Sequence, residues 1–105
     1  MIDISKQDWK LFREKLSGWQ EHYMERLIME YIDLLSAPGN ASDHFWELEK
    51  RIKKDRKHPG VILEMNKSDA LWNIVDFLRL GVITEDDLDG FSPELIDAVK
   101  EMSRR

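Results

Sequence analysis

The sequence predicts an all-α protein, a compact bundle of four to five helices forming one domain over residues 1–105. Three observations carry that expectation. Capping and breaking residues punctuate the chain at helical intervals, apolar residues recur at spacings of three and four, and no strand-like alternation lasts more than a few residues. No internal repeat is present. With 105 residues, 42% of them apolar, and a formal charge of −5, the chain suits one small core and leaves no room for a second. The absence of cysteine excludes thiolate metal sites and thiol catalysis. The longest apolar runs, such as Leu27-Ile28-Met29 and Ala70-Leu71-Trp72, are three residues, against about 20 for a membrane-spanning helix. Met1-Ile2-Asp3-Ile4-Ser5 has neither a basic nor an apolar leader segment, so the expected location is cytoplasmic, away from any membrane.

The first helix is expected over residues 5–36. Ser5-Lys6-Gln7-Asp8 reads as a capping box, with a hydroxyl for the N3 amide and an acid reaching back. Trp9, Phe12, Leu16, Trp19, Tyr23 and Leu27 then share an arc of about 80°. Past Tyr23 a second apolar face opens through Met24, Ile28, Tyr31 and Leu35, so the latter half is expected to be buried on two sides. A straight helix of this length would run about 48 Å, longer than the ~33 Å expected of a compact domain. It must therefore break or kink, with Ser17-Gly18 the favoured place, or project. Ser36-Ala37-Pro38-Gly39-Asn40 ends it.

A second helix is expected over 43–58, with Phe45, Leu48 and Ile52 as its core face and Pro59-Gly60 as its stop. Val61-Ile62-Leu63 reads as a buried connector. The third helix, over 68–80, has an apolar arc of about 160° through Ala70, Leu71, Ile74, Val75, Phe77 and Leu78, which marks it as central. Gly81-Val82 is a C-cap pattern, Thr84-Glu85-Asp86-Asp87 opens a short helix, and Ser92-Pro93-Glu94 opens the last one. That last helix is expected to bury Leu95, Ile96, Val99 and Met102.

Among candidate functional features, the stretch 50–58 carries six cations and one acid in an otherwise acidic chain. Lys50, Lys53, Lys54 and Lys57 share one helix face, with Arg51 beside them, and form a candidate surface for an anion or an acidic partner. Four lysines tracking phosphates would give a log–log salt slope near −3.6. The competing reading is a solvated helix face, and no aromatic interleaves the lysines to suggest base stacking. Trp46 and Trp72 lie off the apolar arcs of their helices, next to charge, where a half-buried tryptophan anchors interfaces. Together with Met24, Ile28, Tyr31 and Leu35 they form the candidate interface set.

Metal and catalytic constellations are weak. Glu85, Asp87 and Asp89 fall at calcium-loop positions 1, 3 and 5, but position 12 is Ile96 and not glutamate, so the acids read as successive helix starts. His22/Glu25 and His44/Glu47 are spaced i,i+3 without the Glu-x-x-His order of di-metal bundles. No nucleophile elbow, phosphate loop or dinucleotide fingerprint occurs. No cofactor is expected.

The run Phe45-Trp46-Glu47-Leu48-Glu49-Lys50-Arg51-Ile52-Lys53-Lys54-Asp55, continuing to Pro59-Gly60-Val61-Ile62-Leu63-Glu64-Met65, resembles a family of small Firmicutes-like bacterial proteins with no established activity. Trp19-Gln20-Glu21 and Tyr23-Met24-Glu25 fit the same resemblance. Some members carry a multidrug-transporter label, which the lack of an apolar span in this chain opposes. Leu78-Arg79-Leu80-Gly81-Val82-Ile83-Thr84-Glu85-Asp86-Asp87-Leu88 is similar to short C-terminal helical hairpin modules with a Gly-Val-Ile-Thr-Glu-Glu turn, which implies an oligomerisation or interaction role. The expectation is thus a non-enzymatic interaction or regulatory module that binds a protein partner or forms a homodimer. The alternative is a nucleic-acid-associated protein using the basic face of helix 43–58, and an enzyme is the least favoured reading.

Overall fold

The computed structural model describes residues 3–105; Met1 and Ile2, part of the N-terminal reading above, lie outside the described residues. The fold is all-α, with no strand among the described residues and no helix long and apolar enough to cross a membrane. Four α-helices follow in order: α1 (Lys6–Ser36), α2 (Ala41–Asp55), α3 (Ala70–Arg79) and α4 (Pro93–Ser103). Two 3₁₀ turns, Lys67–Asp69 and Glu85–Leu88, precede α3 and α4 respectively.

The chain divides into two compact units. One comprises the chain up to Trp19 together with Glu64–Arg105, the other Gln20–Leu63. The first unit holds nearly all of the buried apolar residues. Phe12, Ile74, Val75, Phe77, Leu88 and Val99 are fully buried. Trp19 meets Phe12 at 6.0 Å, Phe77 at 6.1 Å and Phe91 at 6.2 Å between ring centroids. The apolar arc of α3 is buried as its periodicity predicts, with Leu78 alone half-exposed. In α4, Leu95 and Val99 are buried, whereas Ile96 and Met102 reach only its half-buried flank.

The predicted caps form. Gly81 adopts φ +73°, which lets Val82 N–H reach Phe77 O at 2.9 Å and Gly81 N–H reach Leu78 O, the paired bonds of a Schellman motif. Val82 is buried against that turn. Thr84 and Asp87 close a capping box, and Ser92 Oγ accepts from Leu95 N–H at 3.3 Å behind Pro93. At α1, Ser5 Oγ accepts from Asp8 N–H at 3.1 Å. The acid half of that box takes a different partner. Asp8 is buried, and its carboxylate accepts from Ser92 N–H at 2.9 Å and from Ser92 Oγ–H at 2.6 Å, tying the starts of α1 and α4 together.

Four expectations are corrected. First, α1 does not break at Ser17-Gly18 but runs through them without interruption. Leu16 and Trp19 are buried on either side of the glycine, and that burial outweighs the ~1 kcal/mol a helical glycine costs. Second, the latter half of α1 is not buried on two sides, because Ile28 and Leu35 are exposed. Third, α2 does not bury Phe45 and Ile52; they too are exposed, and Leu48 is half-buried. Helix α2 also ends three residues early, at Asp55. His58 precedes a proline, which disfavours helical backbone there, and its ring turns aside to stack on Tyr23. Fourth, in the Val61-Ile62-Leu63 connector, Ile62 points to solvent.

Candidate interaction surface

Residues 20–63 form an αα-hairpin. The latter half of α1 and all of α2 run antiparallel, joined by residues 37–40, as the paired contacts show. Tyr23 meets His58, Gln20 Nε2 donates to Pro59 O at 3.0 Å, and Tyr31 OH donates to Asp55 Oδ2 at 2.6 Å. Polar and aromatic groups hold this hairpin together more than apolar ones do. Arg51 donates to Glu30 at 2.8 Å, lies 3.5 Å from Asp55, and stacks over Tyr31 at 5.6 Å from its centroid. Asp55 is buried, the one acid in the basic stretch, and it serves this seam as acceptor to Tyr31 and counter-ion to Arg51.

At the far end, the turn after α2 clamps onto α1. The His58 and Tyr23 rings stack at 4.7 Å, Arg26 covers Tyr23 at 5.0 Å, and Gly60 N–H donates to His58 Nδ1 at 3.0 Å. Any Cβ at Gly60 would stand 2.4 Å from the Tyr23 ring, so only glycine permits this approach. Burial and the Asp55 carboxylate hold the Tyr31 hydroxyl neutral, its pKa pushed up to about 12. Burial also pushes the His58 pKa down, with Arg26 adding to the effect and Asp55 opposing it. A histidine whose folded pKa lies below its unfolded value contributes stability above about pH 6.5 and loses it as the pH falls through the folded value. Protonation would also remove the Nδ1 lone pair that Gly60 uses. The thermal midpoint of the chain is therefore expected to fall between pH 7.5 and 5.5. The fall should be smaller in His58→Phe, which keeps the stack without the titration; an equal fall in both would remove His58 as the cause.

The apolar inventory of the hairpin is inverted relative to the first unit. Leu27 is the sole buried apolar residue of 20–63. Eight of the ten large apolar side chains exposed among the described residues lie in this segment, among them Trp46 (64%), Phe45 (63%) and Ile28 (53%). A groove of about 220 Å³ opens between the helices, lined by Met24, Leu27, Ile28 and Tyr31 from α1, by Ile52 and Asp55 from α2, and by Arg56 and Val61. A second depression of about 300 Å³, between Phe45, Leu48, Ile52 and Arg56, continues it along α2.

The structure thus brings together Met24, Ile28 and Tyr31 from the sequence-derived interface set. Leu35 is exposed further along the same α1 face, and Trp46 packs edge-on against Phe45 at 5.0 Å. Trp72 belongs to the other unit, half-exposed on α3. Ile52 and Phe45, core positions by periodicity, are instead groove wall.

The basic set contracts by one. Arg51 is committed to Glu30 and Asp55, whereas Lys53, paired with Glu49 at 2.8 Å on the surface, stays exposed with Lys50, Lys54 and Lys57. The acids after α3 serve local structure. Asp87 accepts from Thr84 N–H at 2.8 Å and Glu85 lies 3.7 Å from Lys100. His22 pairs with Glu25 at 3.6 Å on the surface, and the His44 ring packs over Gly39. Among the described residues no group of three or more His, Asp or Glu side chains is placed to hold a metal ion. No family model, curated protein or solved structure matches this chain at a significant level.

Proposed function

We propose that this chain is a small cytoplasmic, non-enzymatic helical interaction or regulatory module that self-associates through the open face of the hairpin 20–63. The observation that carries this reading is the hairpin's inverted inventory, one buried apolar side chain against eight exposed. Contiguous exposed apolar surface around a groove is the usual mark of a protein contact surface. The rim is charged and the floor apolar, as in protein–protein interfaces generally.

Light scattering at micromolar concentration is expected to give about 25 kDa, twice the 12.5 kDa chain, as a two-copy assembly would. Ile28→Glu combined with Ile52→Glu should return the mass to that of one chain, while Trp72→Ser should leave it doubled. A single-chain mass at every concentration removes self-association. The alternative, nucleic-acid binding, retains four exposed lysines and calls for a log–log salt slope near −3.6. No binding at low salt removes it.

A further inference from the structure

We infer that the occupant of the hairpin groove is a second copy of the hairpin, set crosswise so that each α1 packs on the other copy's α2 and the pair completes a four-helix bundle. The inference rests on the interaction reading above and specifies its partner and geometry. A two-helix hairpin is a single layer, and stable helical architectures close an apolar face of such a layer with another layer.

The spacing of the open face fits this closure. On α1, Ile28, Ile32 and Leu35 lie within an arc of about 60°; on α2, Phe45 and Ile52 share a face. Ile28 to Leu35 and Phe45 to Ile52 each span seven residues, about 10.5 Å along a helix. With α1 of one copy antiparallel to α2 of the other, Ile28 lies over Ile52 and Leu35 over Phe45. Those five side chains leave roughly 500 Å² open per copy. With the charged stems around them, the pair reaches the ~1,200 Å² at which specific interfaces begin.

Charge selects the crosswise arrangement over like-on-like. Glu21 and Glu25 lie on the stripe side of α1 just before Ile28, and Lys53 and Arg56 follow Ile52, with Glu49 and the buried Asp55, already held by Tyr31 and Arg51, as the acids beside them. In the antiparallel register the acidic end of α1 meets the basic end of the other copy's α2, twice by symmetry. Stacking α1 on α1 and α2 on α2, antiparallel by the same two-fold symmetry, would instead leave Glu21 and Glu25 opposite the turn after Leu35, which offers them no cation.

The test uses the full chain in two charge-reversed forms, Glu21→Lys/Glu25→Lys and Lys53→Glu/Arg56→Glu, with circular dichroism to confirm helix content and sedimentation equilibrium as the readout. Each form alone is expected to self-associate about tenfold more weakly or worse, and their equimolar mixture to recover the wild-type constant within about threefold. If each form alone dimerises like the wild type, or if the mixture associates no better than its components, the crosswise pairing is overturned while the interaction module stands. A wild-type chain that stays monomeric overturns both. Should a reversed form fail to fold, the wild-type dimer itself decides: crosswise pairing requires association to weaken with added salt, and strengthening would overturn it.

Discussion

Asp55→Ala is expected to lower the unfolding free energy by about 3 kcal/mol, far more than its place in a run of lysines would suggest. The carboxylate is buried, accepts the Tyr31 hydroxyl at 2.6 Å and lies 3.5 Å from Arg51. Its removal leaves the Tyr31 hydroxyl without its acceptor and Arg51 with Glu30 alone, beside an Nε that is already buried without a hydrogen-bond partner. Tyr31→Phe removes only the hydroxyl and should cost about 1 kcal/mol. The double variant should then fall short of the sum by roughly the strength of their shared bond. Urea unfolding of the three variants checks this, with amide exchange over residues 20–63 to locate the loss. A cost under 1 kcal/mol for Asp55→Ala would mean that the seam does not hold the hairpin.

The residues of this seam show what the sequence could and could not reveal. Phe12, Leu16 and Trp19, and the arc Ala70 to Phe77, are buried where their periodicity places them, because each finds its cover inside the same unit. Phe45 and Ile52 have the same periodic signature and are exposed. Periodicity reports that a face is apolar; it carries no information on what covers it. Met24, Ile28 and Tyr31 were legible as an interface stripe for that reason, whereas the opposite wall of the groove read as core.

The basic stretch failed differently. Counting charge finds Lys50, Arg51, Lys53, Lys54 and Lys57 but not the pairing of Arg51 with Glu30 and Asp55 that takes it out of reach. Asp55 carried one signal, its i,i+4 spacing from Arg51. Its decisive partner, Tyr31, lies on another helix and has no local trace. Gly60 likewise reads as a helix stop, and only the Tyr23 ring against its Cα shows why no other residue fits.

Asp8→Ala is expected to cost about 3 kcal/mol as well, by a different route. The local pattern Ser5-x-x-Asp8 assigns the acid to its own helix, yet its carboxylate takes Ser92 N–H at 2.9 Å and Ser92 Oγ–H at 2.6 Å, 84 residues away. Ser92 Oγ in turn accepts from Leu95 N–H, and Ser5 Oγ accepts from Asp8 N–H. One chain of bonds therefore runs through the first turns of both α1 and α4. A negative group at the start of α4 also meets the positive end of the helix dipole, which adds to the hydrogen bonds. Asp8→Asn keeps an acceptor but loses the charge and should cost about half as much; Ser92→Ala loses the cap and one of the carboxylate's two donors, about 2 kcal/mol. Because the two changes share the Ser92 Oγ–H bond to Asp8, Asp8→Ala/Ser92→Ala should cost less than the sum of the two, a coupling of about 1.5 kcal/mol in a urea double-mutant cycle. Strictly additive costs would show that Asp8 and Ser92 stabilise their helices separately and that nothing passes between the two caps.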